Sequence, residues 1–147
     1  MASKPSILLC RRLEKGARAM AEKAYSPYSK FRVGAAVLAG SGRIYAGCNI
    51  ENASYGLCQC AERTAIFTAV AAGEREIKAV AVYTPTRQAV LPCGACRQVI
   101  NEFGPQALVI SMCDGPTRIE TTLVQLLPGA FGPENLGPNA ARRATRR

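Results

Sequence analysis

Two cysteine clusters constrain this chain more than any other feature. Cys60-Ala61-Glu62 opens an apolar helical run, and Pro92-Cys93-Gly94-Ala95-Cys96 opens a second one further along. A lone Cys-x-x-Cys is weak, but a third Cys with a Glu two residues on, each cluster starting a helix, is a specific combination. A fold that uses it has to aim two helix N-termini at one point. The chain has no His, so any soft ligands for a transition metal must be thiolates.

Helical and strand-like patterns alternate around these clusters. Ser3-Lys4-Pro5 marks a helix start, followed by Leu9, Leu13, Ala17, Met20 and Ala24 at spacings of four and three. Turn residues 25–29 break that helix. Residues 33–39 read as a strand of small residues, and 44–50 as its hairpin partner. A loop over 49–59 leads into a helix at 61–72 with Gly73 as its stop, then a buried strand at 78–83. After a connecting loop, a helix over 93–103 ends at Gly104, followed by strands at 107–112 and 118–121 and a short helix at 122–127. This order predicts an α/β fold, a single mixed five-stranded sheet with helices on both faces. The expected organisation is one domain over 1–136 and a basic, poorly ordered tail over 137–147. With no apolar run long enough to span a bilayer and no leader pattern, a cytoplasmic location is expected.

The net charge of +9 raises nucleic acid as a partner, but the charge is unevenly spread. Residues 1–32 hold most of the excess and Arg142, Arg143, Arg146 and Arg147 the rest, while the segment carrying the cysteine clusters is nearly neutral. Nucleic acid is therefore not expected at the site, apart from weak contacts by the tail.

Three thiolates, Cys60, Cys93 and Cys96, leave a tetrahedral zinc one open position, which is what separates a catalytic site from a closed structural one. A water there ionises near neutral pH, and Glu62 is placed to carry its proton as a general acid–base. Three thiolates outweigh the charge of the metal, so compensation is needed. The helix N-termini supply part of it, and Arg63 is the favoured cation, with Arg97 either a second one or simply an exposed helix residue. Cys58 is a possible fourth thiolate that would close the site, although one residue between Cys58 and Cys60 is shorter than the usual two to four. A redox Cys93-x-x-Cys96 is a further alternative, which leaves Cys60 unexplained. Cys10, Cys48 and Cys113 read as buried apolar fillers.

At these residues the chain resembles the small zinc-dependent, three-cysteine cytidine deaminases. The resemblance rests on 31–36 (FRVGAA), 47–53 (GCNIENA), 60–65 (CAERTA), 92–98 (PCGACRQ), 126–128 (LLP) and 131–133 (FGP). A Cys or His, a Glu and a following Pro-Cys-x-x-Cys form the known signature of zinc deaminases. The resemblance implies a three-layer α/β/α fold and one Zn2+ per subunit. It implies hydrolytic deamination of cytidine and 2′-deoxycytidine in pyrimidine salvage, by attack of zinc-bound hydroxide at C4 with Glu62 shuttling protons. It also implies roles in substrate binding: Asn49 and Glu51 on the ribose 3′-hydroxyl, Phe31 against the pyrimidine, and the Ala61 N–H on the base carbonyl. A homotetramer is implied, with Ala53, Tyr55 and Phe131 lent to neighbouring sites. Loop capping by Asn49 and Glu51, and a core role for Phe31, are the plain structural alternatives. The rival functions are a deaminase of modified nucleosides or polynucleotides, against which the 49–53 motif argues, and a zinc-stabilised RNA-binding module.

Overall fold

The computed structural model describes residues 5–137. Its elements run α1 (Ile7–Ala21), β1 (Gly34–Ala39), β2 (Ile44–Cys48), α2 (Ala61–Ala71), β3 (Ile77–Tyr83), α3 (Gly94–Phe103), β4 (Leu108–Met112), β5 (Arg118–Thr122) and α4 (Leu123–Leu126). This is the order predicted above, with ends moved by a few residues. Ser6, rather than the 3–5 segment, caps α1, its hydroxyl accepting the Leu9 N–H at 3.3 Å. Ser3 and Lys4 lie outside the described residues, as does the predicted tail beyond Gly137.

The five strands form one sheet in the order β2-β1-β3-β4-β5. The β3–β4 pair is parallel and the other three pairs are antiparallel. The parallel pair needs a crossover, and α3 provides it. Helices cover both faces. On one face Leu13, Ala17 and Ala21 of α1 pack with Ala36, Leu38, Ala79, Ala81 and Ile110. On the other, Ala61, Ala65, Ile66 and Ala69 of α2 and Ile100 of α3 pack with Ala35, Val37, Val80 and Val82. Strand residues of alternate parity thus serve opposite layers, as the two-residue period of a strand requires.

Two glycines set how closely the layers approach. A Cβ at Gly34 would stand 1.9 Å from the Ala17 carbonyl oxygen, and one at Gly47 would stand 2.5 Å from the Ala65 nitrogen. The first seats α1 on β1 and the second seats α2 on β2, through opposite faces. Gly104 also differs from the usual helix stop. Its φ of −154° is extended, and the glycine is needed because a Cβ there would meet the Ile77 carbonyl oxygen at 2.3 Å.

The register decides what lies at the end of the sheet. Gly34 pairs with both Cys48 and Tyr83, so segments 28–33, 49–60 and 84–93 all emerge from one end of the sheet. Ile50 closes the 49–60 segment on itself through a bridge to Gln59 and ties it to Tyr25, just ahead of the 28–33 segment. It is at this end, beyond the C-terminus of a parallel strand, that an α/β sheet leaves a crevice.

Candidate active site

Both helices that reach the crevice begin at cysteines. Cys60 is the N-cap of α2 and Cys93 the N-cap of α3, and neither thiol is used to cap its own helix. The sulfurs turn toward one another, with Cys60 Sγ and Cys93 Sγ 3.8 Å apart. Cys96, one turn into α3, completes a group in which all three sulfurs lie within 4.8 Å of one another. Two thiolates on a tetrahedral zinc with bonds of about 2.3 Å stand about 3.8 Å apart, so the spacing suits that ion. Cys96 is fully buried, whereas Cys60 and Cys93 face the crevice.

The protonation pattern points to the same chemistry. The Cys60 thiol is drawn down to about 5, first by the Cys96 thiol hydrogen-bonding to it and further by Arg63. Cys96 is pushed up, because it holds its proton against the Cys60 thiolate and is buried. The cluster therefore accommodates one negative charge and resists the next. Full ionisation of such a donor set calls for a cation among the sulfurs. Arg63 contributes part of the compensation, its Nη2 lying 3.6 Å from Cys60 Sγ while also donating to the Cys58 carbonyl at 3.4 Å. Both helix N-termini add their partial positive charge. Glu62, in the first turn of α2, is only 5% exposed, and burial raises its pKa, with the Cys60 thiolate adding to the rise. A carboxyl held in this way is better able both to take and to return a proton.

A pocket of about 470 Å³ opens above the cluster, a size suited to a small molecule. Cys60, Ala61, Glu62 and Cys93 form part of its wall, Phe31, Val33, Val82, Val90 and Leu91 an apolar part, and Ser29, Asn49 and Glu51 a polar part. The structure thus brings together Phe31, Asn49, Glu51, Cys60, Ala61, Glu62 and Cys93. Ala61 is the first residue of α2, where a backbone N–H has no intrahelical acceptor and points outward. Asn49 and Glu51 do the loop capping weighed above as well as lining the pocket. Asn49 Oδ1 accepts the Val33 N–H and Nδ2 donates to the Phe31 carbonyl, both at 2.8 Å. Glu51 Oε2 accepts the Tyr28 N–H at 2.9 Å and the Ser29 N–H at 3.3 Å, and Oε1 accepts the Ser29 hydroxyl. Each keeps spare capacity, one amide hydrogen on Asn49 and carboxylate lone pairs on Glu51.

Other candidates do not join the sulfur group. Cys58 lines the pocket, but its sulfur meets Asn52, whose N–H lies 3.3 Å away, so among the described residues the cluster has three thiols. Arg97 is not a partner of the sulfurs. Its guanidinium donates to the Pro92 carbonyl at 2.8 Å and the Leu126 carbonyl at 2.9 Å, tying α3 to its approach and to the end of α4. Ala53, Tyr55 and Phe131 do not line this pocket. Tyr55 is 72% exposed and meets Tyr28 with ring centroids 5.8 Å apart, and Phe131 is 59% exposed, its carbonyl held by Gln98 and Asn101. Cys10, Cys48 and Cys113 are buried as fillers. Sequence reasoning missed Ser29, Val33, Gln59, Val82, Val90 and Leu91 as lining residues. The available signal was the run Tyr25 to Phe31, where a polar turn precedes an aromatic residue of the site.

Comparison with known proteins agrees with this chemistry. Residues 11–112 match the family described as the cytidine and deoxycytidylate deaminase zinc-binding region. The cytidine deaminase of Sporosarcina psychrophila is 56% identical over 117 residues, covering 78% of this chain and 85% of the relative. That of Halalkalibacterium halodurans is 50% identical over 116 residues, covering 78% and 88%. Among solved structures, the cytidine deaminase of Burkholderia pseudomallei superposes with a TM-score of 0.79 at 49% identity, over 82% of this chain and 98% of its own.

Proposed function

The chain belongs to the cytidine and deoxycytidylate deaminase family, and on that premise we propose that it hydrolyses cytidine and 2′-deoxycytidine to the corresponding uridines and ammonia. The observation that carries this reading is the group of three converging thiols beside a buried carboxyl, at the base of a pocket with polar groups on its rim. The cofactor is one zinc ion, which Cys60, Cys93 and Cys96 would hold. When bound, zinc supplies the Lewis acidity that brings a water toward ionisation at neutral pH. Glu62 takes one proton from the attacking water and delivers it to ring N3, then takes the remaining proton of the added hydroxyl and passes it to the departing amine, so the amino group leaves as ammonia and the ring gains a carbonyl. Arg63 offsets the thiolate charge. Phe31 and the aliphatic wall hold the pyrimidine and exclude water, the Ala61 N–H receives the base carbonyl, and Asn49 with Glu51 binds the ribose 3′-hydroxyl.

We also propose a homotetramer in which Ala53, Tyr55 and Phe131 complete neighbouring sites. The exposed apolar side chains Tyr25, Tyr28, Ile50 and Leu57 near the pocket support burial against a partner, as does Phe131. Mass photometry tests this, and a stable, active monomer would refute it. No described helix is long and apolar enough to cross a membrane. Seven free cysteines favour the reducing cytoplasm, where the reaction would serve pyrimidine salvage.

The decisive assay follows the ultraviolet absorbance of cytidine with and without a zinc chelator, in the wild type and in Glu62→Gln. The expected result is chelator-sensitive loss of cytidine by the wild type, and zinc retained without turnover in the variant. Unchanged turnover by Glu62→Gln would sink the mechanism. Glu51→Gln should weaken nucleosides far more than free cytosine analogues.

A further inference from the structure

Ser29 is a point at which two walls of the pocket are joined. Its hydroxyl donates to Glu51 Oε1, and Ser29 Oγ in turn accepts the Phe31 N–H at 3.0 Å. The direction of both bonds is settled by chemistry. A backbone N–H can only donate and an ionised carboxylate can only accept, so the single hydroxyl proton must point at Glu51. The backbone N–H of Ser29 reinforces the contact by donating to Glu51 Oε2 at 3.3 Å.

Local backbone geometry makes the junction possible. Between Ser29 and Phe31 lies Lys30, with φ of +58°, the one non-glycine residue in the left-handed region among the described residues. This conformation is unfavourable for a side chain of that size and persists where the surroundings hold it. Here it accompanies the return of the residue 31 N–H to the Ser29 hydroxyl. Asn49 grips the next stretch through the Phe31 carbonyl and the Val33 N–H.

From this arrangement we propose that Ser29 is a positioning residue for nucleoside binding. It sets which oxygen of Glu51 faces the pocket and fixes the backbone that carries Phe31, coupling the sugar-side carboxylate to the base-side ring. The inference rests on the assignment of Glu51 to the sugar. Ser29 itself is not required for proton transfer, so its loss acts on binding rather than on chemistry.

The test is steady-state kinetics of Ser29→Ala, Ser29→Cys and Ser29→Thr in the full chain with zinc bound, using cytidine and 3′-deoxycytidine. Loss of the hydroxyl in Ser29→Ala raises KM for cytidine about tenfold, toward the lower end for a hydrogen bond to a charged group because the carboxylate is open to solvent. The kcat stays within about twofold. Ser29→Cys, of similar volume but with a weak donor, behaves like Ser29→Ala, and Ser29→Thr restores most of the wild-type KM. With 3′-deoxycytidine the gap between the Ala and wild-type KM values narrows without closing, because the group that Glu51 receives is gone while the loosened Phe31 backbone still acts on the base. In a Glu51→Gln background the Ser29→Ala effect on cytidine KM shrinks below threefold. Wild-type KM in both Ser29→Ala and Ser29→Cys, or an equal KM rise on both substrates, overturns the proposal. Absence of cytidine turnover by the wild type would instead overturn the assigned activity, which separates the two failures.

Discussion

Replacing Gly47 by Ala tests whether the sheet positions the chemistry. The added Cβ would stand 2.5 Å from the Ala65 nitrogen, 2.8 Å from Thr64 Cβ and 2.9 Å from the Thr64 carbonyl carbon. Ordinary contact begins at 3.4 Å, so α2 must withdraw from β2 by about 0.9 Å. Two of these atoms are backbone and the third is a Cβ fixed to it, so none can swing aside as a side-chain tip would. Overpacking of this kind destabilises by about 1–3 kcal/mol. The larger effect falls on the site, because Thr64 lies one turn past Cys60 and its hydroxyl and N–H both bond the Cys60 carbonyl, at 3.2 and 3.1 Å. A shift of α2 therefore carries Cys60 and Glu62 with it, while Cys93 and Cys96 stay on α3. Misplacement of about 1 Å between reacting groups lowers turnover about 10²-fold. The assay combines kcat/KM for cytidine, zinc content and urea denaturation, with Gly94→Ala as control. Gly94 opens α3 beside Cys93, yet a Cβ there meets nothing within 4 Å, so that variant should keep wild-type activity. Full activity and stability in Gly47→Ala would refute the reasoning, as would equal damage in Gly94→Ala.

Other residues make separate predictions. Cys58→Ser should retain zinc and activity, with stability changed by no more than about 0.5 kcal/mol, since the hydrogen bonds of its sulfur go to the Asn52 backbone, which a hydroxyl can also serve; loss of zinc by mass spectrometry would contradict a three-thiol site. Arg63→Ala removes the cation 3.6 Å from Cys60 Sγ and should weaken zinc about 10–100-fold in competition with a chromophoric chelator. Glu74 is held below its ordinary pKa of 4.5, first by the Ser41 hydroxyl at 2.5 Å and further by Tyr45 at 3.1 Å. A depressed folded pKa contributes stability above the unfolded value that is lost as pH falls through the folded one. The Tm gap between wild type and Glu74→Gln should therefore be open at pH 7 and close as pH falls below 4.5; a gap independent of pH would refute the assignment.

Most of the element order was legible because hydrophobic period and glycine punctuation are local signals. Residues 61–72 and 93–103 read as helices and 78–83 as a strand within a residue or two of α2, α3 and β3. The α1 start was misplaced because the deciding contact, the Ser6 hydroxyl on the Leu9 N–H, competes with an equally good pattern at 3–5. The three metal-ligand candidates and Glu62 were legible because their chemistry is carried by residue type, spacing and the absence of His. Cys58 and Arg97 were not, since a thiol or guanidinium near a site in sequence has several directions open to it. Only packing sends Cys58 to Asn52 and Arg97 to the Pro92 and Leu126 carbonyls.

By itself, then, the sequence determined that two helices start at cysteines, that any soft metal ligands are thiolates and that a carboxylate accompanies them. What the tertiary structure alone decided is their meeting. The sheet register brings Gly34, Cys48 and Tyr83 to one end of the sheet, and Gly47 lets α2 approach closely enough for Cys60 to stand 3.8 Å from Cys93. It also decided the role of Ser29, because a hydroxyl reaching Glu51 across 22 positions of chain leaves no local trace in sequence. Local patterns fix elements through short-range sterics and solvation, whereas a site depends on long-range contacts that exist only once the layers have packed.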